Sequence, residues 1–255
     1  MSLTPHERLA LCELVPSPPG PWDVPWVPSA APRAGILDEG ATFCLDPTAR
    51  IRVQVGGTCA GNAVAQAVTT GIVLLGGPRL EVSGTGCWAQ GQLWGAVEGA
   101  DVDGDAGAWV AKVLEACRIW GWPLRTDHAE DGLTSLAATA LGEIVARAVG
   151  PYTIEHRTVS ESDCKDALRD GWTIVTSGAV DETFAAAKPG GWLDECRSGG
   201  GHALLVDGWD PAGYLILDTW GRGVSEIELE RKRLHGSVNW MRSRWERRAT
   251  RVVLR

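Results

Sequence analysis

Residues 202–221 read HALLVDGWDPAGYLILDTWG, and this stretch decides the fold. It contains two apolar runs separated by Trp-Asp-Pro-Ala-Gly, a combination of residues that favours a turn. We therefore predict two antiparallel strands joined by a hairpin. His202 opens the first strand and Asp218 ends the second, so the hairpin would bring the two side chains together at one end of the pair.

A cysteine stands upstream at the start of a predicted helix. Cys59 follows the loop QVGGT and begins the apolar stretch CAGNAVAQAVTTGIVLLGG, which predicts a buried helix ending near residues 76–77. Free backbone amides and the helix dipole at such a position stabilise a thiolate. A cysteine hydrolase needs a thiolate, an imidazole and a group that orients the imidazole, and Cys59, His202 and Asp218 can supply them.

These motifs, taken in order, resemble those of the papain and cathepsin family of cysteine peptidases. In that family a histidine opens one strand and an Asn-Ser-Trp-Gly motif closes the next; here residues 218–221 read Asp-Thr-Trp-Gly. Other stretches follow the family's order between about residues 50 and 222, namely VSGTGCWAQGQLWG, DGDAG, RIWGWP and DALRDGWTIVTSG. The resemblance covers about two-thirds of the chain.

The resemblance implies an α+β, papain-like fold with a helical left half, a β-rich right half and the cleft between them. It implies that Cys59 is the nucleophile, His202 its base and Asp218 the residue that orients the histidine. Gln54 and the backbone amide of Cys59 would form the oxyanion hole, and Trp220 would cover the hydrogen bond between histidine and aspartate. The substrate would be a peptide or protein cleaved at a peptide or amide bond, and no cofactor is expected.

The chain departs from the family pattern in four ways. Gln54 precedes Cys59 by five residues, one fewer than is usual, and Ala60-Gly61 stands in place of Trp-Ala. Asp218 replaces the customary Asn; it can still accept the imidazole hydrogen bond and would stabilise the imidazolium more strongly. The arm before residue 50 is too short and too proline-rich to resemble the helical inhibitory propeptide, so regulation by propeptide removal is not expected.

Several other stretches of the sequence resemble functional motifs. The string GCWA at residues 86–89 copies the family's nucleophile motif, but no glutamine lies five to seven residues ahead of Cys87 and no long apolar helix follows. We predict that Cys87 is a buried small hydrophobe. The acidic stretch 101–105 resembles a calcium loop without its required glycine and bidentate glutamate, so a solvated turn is expected. His128 and His156 lack partners at ligand spacing, and no metal site is predicted.

The two ends of the chain differ from its middle. We predict a proline-rich arm over residues 1–50, a papain-like domain over 51–230 (helical over 51–150, β-rich over 151–230) and a basic segment over 231–255 that ends in a strand of the same domain. This segment holds nine of the 24 Lys and Arg residues and one of the 32 acidic residues. Either both ends pack on the chain's own acidic body, or they hold partners.

If the two ends of the chain hold partners, a different class of function follows. A papain fold kept as a structural or binding component of a larger assembly, for example a virus particle, with weak or no activity, is the alternative to an active hydrolase. A transglutaminase-like or amidase function shares the Cys–His–Asp order. The interval of 143 residues from Cys59 to His202, together with the Trp-Gly pair that follows Asp218 and Thr219, favours papain.

Composition limits the remaining classes. The 255 residues are 44% hydrophobic and 22% charged, which is typical of a globular protein, and no run of about 20 apolar residues predicts a membrane span. No signal peptide is evident at the N-terminus. The seven scattered cysteines include no CxxC pair, which argues against disulfides and cysteine-based zinc and suits a reducing compartment, the cytoplasm or a virion. Nucleic acid is not expected as a partner, because the basic segment can pack on an acidic body.

Overall fold

A computed structural model describes residues 16–28, 40–49, 52–54, 56–97, 107–126, 151–188, 190–196, 199–220 and 233–254. Residues 127–150 of the predicted helical half, which include His128, and the acidic stretch 101–105 lie outside these ranges. In chain order the described elements are β1 (Phe43–Cys44), α1 (Cys59–Leu74), α2 (Gly84–Val97), α3 (Val110–Trp120), β2 (Tyr152–Thr158), α4 (Cys164–Arg169), β3 (Thr173–Val180), α5 (Glu182–Ala186), β4 (Trp192–Leu193), β5 (Gly200–Trp209), β6 (Tyr214–Leu217), β7 (Leu234–Gly236), α6 (Val238–Arg242) and β8 (Glu246–Leu254).

The three long helices of the described residues lie in the first half of the chain, as the predicted fold class requires. Helix α1 is buried along most of its length, and its small side chains allow close approach by neighbouring elements. A Cβ on Gly61 would lie 2.1 Å from the carbonyl oxygen of Gly84, so glycine is required where α1 meets α2. Further along, a Cβ on Gly71 would lie 2.5 Å from Val252 of β8. Helix α1 is therefore packed between the other helices and the sheet.

A sheet of eight described strands makes up the second half. Seven strands run in the order β2-β8-β3-β5-β6-β7-β4, and β1 pairs with β5. The pairs of this sheet are antiparallel except for β4 with β7. Strand β8 lies between β2 and β3, so the C-terminal part of the chain contributes an interior strand.

The hairpin predicted from residues 202–221 is present. Strands β5 and β6 pair antiparallel, with Leu205 opposite Leu217, and one register shift bends β5. Asp210 shapes the turn, because its Oδ1 accepts hydrogen bonds from the amides of Ala212 (2.8 Å) and Gly213 (3.0 Å). The same hairpin sets the positions of the residues at its open end.

Two apolar clusters cover the two faces of the sheet. Successive strand residues point to opposite faces, so Ala203 and Leu205 pack with the long helices whereas Leu204 and Val206 pack on the other side. The second cluster contains five buried tryptophans: Trp26, Trp172, Trp209, Trp220 and Trp240. Helices on one face and a tryptophan-rich layer on the other bury both sides of the central strands.

None of the described helices has the length and apolar character that a membrane span requires.

Residues 16–28 of the arm touch both halves. The amide of Trp26 donates to the carbonyl of Thr158 at the end of β2 (2.7 Å). The hydroxyl of Ser17 donates to Glu246 of β8 (3.0 Å) and accepts from the amide of Ala111 in α3 (3.2 Å). This part of the arm therefore connects the helical half to the sheet.

Basic residues of the C-terminal segment meet acidic residues of the same chain. Four ion pairs join described residues of this segment to other parts of the chain: Arg233 with Asp207 (2.8 Å), Arg242 with Glu161 (3.1 Å), Arg248 with Asp23 (2.7 Å) and Arg251 with Glu155 (2.6 Å). Two of these arginines, Arg242 and Arg251, are well exposed, so their pairs contribute little to stability. The other two pairs are largely buried on the arginine side and tie β7 and β8 to their surroundings.

Candidate active site

Cys59 is the first residue of α1. The first turn of this helix contains no acidic residue, and the preceding Thr58 makes no side-chain cap. The Nδ2 group of Asn62 donates to the carbonyl and to the hydroxyl of Thr58, both at 3.1 Å, and so fixes the approach to the helix. The uncompensated amides and the helix dipole at this end can stabilise a negative charge on the sulfur. The thiol is buried, with Cys59 3% exposed.

His202 and Asp218 lie together at the open end of the hairpin. Nε2 of His202 is 3.2 Å from Oδ1 of Asp218, and both side chains are buried. The same carboxylate oxygen accepts a hydrogen bond from the amide of Thr219 at 2.7 Å. The backbone thus fixes the carboxylate, and the carboxylate fixes the imidazole ring.

The second ring nitrogen of His202 is not engaged by Asp218. Nδ1 is buried and makes no hydrogen bond of ordinary geometry. Burial alone would lower the pKa of His202, but Asp218 and the adjacent Cys59 thiol raise it above its usual value. The Cys59 thiol is thus, beside Asp218, the second group that raises the pKa of this imidazole. An imidazole held in this way can take up the proton of the thiol.

Two aromatic rings enclose His202. The Trp220 ring centroid lies 4.8 Å from that of the imidazole, and the Phe184 centroid lies 5.5 Å from it. The two aromatic rings also meet edge to face at 5.1 Å. Phe184 of α5 is not among the residues predicted from the sequence, because its surroundings there do not distinguish it from any other core phenylalanine. Together the rings keep water from one side of the imidazole.

Gln54 lies beside the turn that carries Asp218. Its backbone amide donates to the carbonyl of Thr219 at 2.7 Å, and its side-chain oxygen accepts a hydrogen bond from the Thr219 hydroxyl. Its Nε2 donates to the carbonyl of Gly56 at 2.9 Å, in the loop that leads to Cys59. An amide nitrogen carries two hydrogens, so this bond leaves Nε2 a second donor.

Two other candidate residues have different surroundings. Cys87 is fully buried in α2, within the apolar cluster of the helical half. His156 of β2 is buried, and its Nε2 lies 2.7 Å from Oε1 of Glu115 in α3. In the part of the chain that the structure describes, no three His, Cys, Asp or Glu side chains are grouped so that they could hold a metal ion.

Solved structures with the same architecture are papain-like cysteine proteases. Xylellain, a cysteine protease from Xylella fastidiosa, matches with a TM-score of 0.71 and 17% identity over 94% of this chain and 96% of its own. Procathepsin B from Trypanosoma congolense matches with a TM-score of 0.72 and 14% identity over 99% of this chain and 90% of its own. A Carica candamarcensis cysteine protease in complex with E-64 matches with a TM-score of 0.59 and 16% identity, over 83% and 98%.

These similarities establish a papain-like fold, with helices in the N-terminal half and a large sheet in the C-terminal half. The fold class predicted from the sequence is therefore confirmed. No protein-family model matches the sequence, and no curated protein matches it.

Proposed function

We propose that this chain is a papain-like cysteine peptidase that cleaves a peptide or amide bond of a peptide or protein. The observation that carries the proposal is the buried imidazole of His202, which lies 3.2 Å from Asp218 and whose pKa the Cys59 thiol also raises. The fold adds support, because the neighbours with this architecture are cysteine proteases.

In the proposed first step, the proton of Cys59 passes to Nδ1 of His202 and the sulfur attacks the substrate carbonyl carbon. The oxyanion that forms is bound by the backbone amide of Cys59 and by Nε2 of Gln54. The imidazolium then gives its proton to the leaving amine as the C–N bond breaks, which leaves a thioester on the enzyme. Water, with His202 as base, hydrolyses the thioester, releases the acid product and regenerates the thiol.

Two residues support His202 in this scheme. Asp218 holds Nε2 in its protonated form, so Nδ1 is the basic nitrogen that faces the thiol, and its charge stabilises the imidazolium. Trp220 covers the same hydrogen bond, and in an environment with little water the interaction between carboxylate and imidazolium is stronger. No step requires a cofactor.

Peptide turnover by matched cysteine variants tests the proposal. A mixed peptide library is incubated with the wild-type protein, and new termini are identified by mass spectrometry. We expect Cys59→Ala to abolish cleavage and Cys87→Ala to retain it, because both thiols are buried but only Cys59 adjoins His202. Equal cleavage by wild type and Cys59→Ala, or loss in both variants, would overturn the assignment of the nucleophile.

A binding role without turnover is the second candidate, and the burial of Cys59 favours it. Such a protein would hold partners through residues 1–50 and 231–255, in the cytoplasm or in a virion. E-64 separates the two functions, because this epoxide needs an accessible thiolate. Stoichiometric modification of Cys59 supports the peptidase, whereas an unmodified Cys59 in a protein that recovers a stable partner at low salt supports the binding role.

A further inference from the structure

A buried arginine lies close to the histidine of the site. Arg244, between α6 and β8, is 3% exposed. Its Nη2 donates to the carbonyl of Ala179 at 3.0 Å and its guanidinium stacks on Trp240 at 4.5 Å, but its Nε and Nη1 make no hydrogen bond. Unpartnered buried donors lower stability, so the position of this charge requires an explanation other than stability.

The sheet register places this guanidinium beside His202. Gly178 of β3 is the direct partner of His202 in β5. A Cβ on Gly178 would lie 2.6 Å from Cζ of Arg244, so the guanidinium occupies the space of the missing side chain. Directly paired residues of antiparallel strands share a face, with Cβ atoms roughly 4.5–5.5 Å apart. Arg244 is therefore the cross-strand neighbour of the imidazole.

Arg244 keeps its charge at neutral pH. Burial is the main influence on it and lowers its pKa to about 10. Of the titratable groups that face it, Cys196 and Asp181 raise this pKa, whereas Arg247 lowers it. A guanidinium with a pKa near this value is protonated throughout the range in which an imidazole titrates.

The titratable groups that face His202 thus come from three other elements. Cys59 belongs to α1 and Asp218 follows β6, and both raise the pKa of His202. Arg244 precedes β8 and is placed beside His202 by the sheet register. Asp218 and Arg244 carry opposite charges; Asp218 lies within hydrogen-bond distance of the imidazole, and the sheet register places Arg244 on the face that the imidazole shares with Gly178. Two further neighbours of the ring, Phe184 and Trp220, are aromatic and carry no charge.

We propose that Arg244 balances the charge of Asp218 and thereby sets the proton affinity of His202. The inference rests on the proposed peptidase function. Aspartate at position 218, where the papain and cathepsin motif has asparagine, adds a negative charge that favours the imidazolium, and the guanidinium opposes it. With the imidazole neutral, the three side chains have no net charge, so His202 can both accept and release a proton near neutral pH. Arg244 is a positioning residue, because it acts through His202.

The titration of His202 in the full-length protein tests this proposal directly. The ring carbons are labelled, the His202 signal is assigned with His202→Gln, and its pKa is measured by NMR. We expect Arg244→Met to raise the pKa of His202 by about one unit and Arg244→Lys to leave it near the wild-type value. Asp218→Asn should lower it by a similar amount, and the double variant Asp218→Asn/Arg244→Met should return to within about half a unit of wild type.

Two further variants separate charge from folding. Arg248→Met removes another buried arginine, one that pairs with Asp23, and should leave the His202 titration unchanged. Gly178→Ala keeps every charge but displaces the guanidinium, so it should raise the pKa of His202 in the same direction as Arg244→Met. An unchanged titration in Gly178→Ala, or in a folded Arg244→Met, would overturn the proposal and reduce Arg244 to a packing role.

The pH dependence of kcat/KM distinguishes this failure from failure of the proposed function. In an active enzyme the alkaline limb should move with the pKa of His202 in each variant. If the enzyme is active but Arg244→Met changes neither the alkaline limb of kcat/KM nor the titration of His202, the peptidase function stands and the role proposed for Arg244 is wrong. If the protein shows no turnover and E-64 leaves Cys59 unmodified, the proposed peptidase function is wrong. The NMR titration then still shows whether Arg244 acts on His202.

Discussion

Nε2 of His202 and Oδ1 of Asp218 lie 3.2 Å apart, although the carboxylate is held primarily by the chain that follows it. The amide of Thr219 donates to the same oxygen at the shorter distance of 2.7 Å. The carboxylate is thus positioned by its own turn and presents a fixed acceptor to the histidine. An acceptor of similar shape without the charge should therefore occupy the same place.

Substitutions of Asp218 separate orientation from charge. Asp218→Asn keeps an acceptor, so kcat/KM at the variant's own pH optimum should retain most of the wild-type value. Asp218→Ala removes the acceptor, and kcat/KM should fall on the order of tenfold or more because the imidazole loses its orientation. Steady-state kinetics over a range of pH checks both values. An Asn variant as inactive as the Ala variant would mean that the negative charge itself is required.

A second buried histidine joins the two halves and gives a prediction on acid stability. Nε2 of His156 lies 2.7 Å from Oε1 of Glu115, and Arg118 pairs with the same carboxylate at 2.8 Å. Burial alone would raise the pKa of Glu115, but the hydrogen bonds and charges of His156 and Arg118 lower it to about 2 from an ordinary value of 4.5. The ionised carboxylate of Glu115 therefore stabilises the fold above pH 4.5, and this stabilisation is lost as the pH falls through 2 and the carboxylate is protonated.

We expect Glu115→Gln to lower the free energy of unfolding at neutral pH by on the order of 3 kcal/mol. The same variant should flatten the fall in stability between about pH 5 and pH 2. Chemical denaturation at a series of pH values measures both effects. Glu155→Gln is the matched control, since it removes a partly exposed pair with Arg251 and should cost less than about 1 kcal/mol. Equal losses in the two variants would contradict the role given to the buried pair.

The contacts of the arm predict that it stabilises its own domain. Nζ of Lys112 lies 4.6 Å from the ring centroid of Trp22, and Asp23 pairs with Arg248 at 2.7 Å. Trp22→Ala should lower the melting temperature by about 2–4 °C, given a cation–π contribution of about 1 kcal/mol. The solution mass of the Trp22→Ala variant, measured by light scattering at low salt, should equal that of the wild-type protein. Val27→Ala, at an exposed arm position, is the control.

A different result would favour assembly. If Trp22→Ala keeps its melting temperature and a larger species disappears, the arm holds a partner and not its own domain. Truncation of the C-terminal segment cannot answer the same question, because β8 lies between β2 and β3 and its removal would open the sheet. Point substitutions are therefore the appropriate test at both ends.

Local sequence patterns predicted the parts of the fold that depend on neighbouring residues. The apolar stretch after Cys59 gave α1, and the two runs on either side of the turn at Asp210 gave the β5–β6 hairpin. Helix α3 ends before Gly121, whose φ of 83° favours glycine, so this ending also depends on a neighbouring residue. In each case the information lies within one helix or one hairpin.

The order of the strands depends on contacts between distant residues and was not predictable from such patterns. Nothing in residues 246–254 indicates that they pair with both β2 and β3. The placement of Arg244 against Gly178, the strand partner of His202, depends on that strand order, and it was not predictable for the same reason. Phe184 likewise reaches the imidazole only because α5 follows directly on β3, the partner of β5.

The most direct test of the proposed site is the order in which the cysteines react. Cys44 is more exposed than the other described cysteines, which are buried, but burial and the charge of Asp207 raise its pKa to about 12. If exposure alone determined reactivity, Cys44 would be alkylated first. If His202 keeps Cys59 in its thiolate form, Cys59 is alkylated first. With limiting iodoacetamide at neutral pH, peptide mapping should find Cys59 modified at least about tenfold faster than Cys44, and His202→Gln should remove the difference. Early modification of Cys44 or Cys87, with Cys59 untouched, would contradict the assignment of Cys59 as the nucleophile.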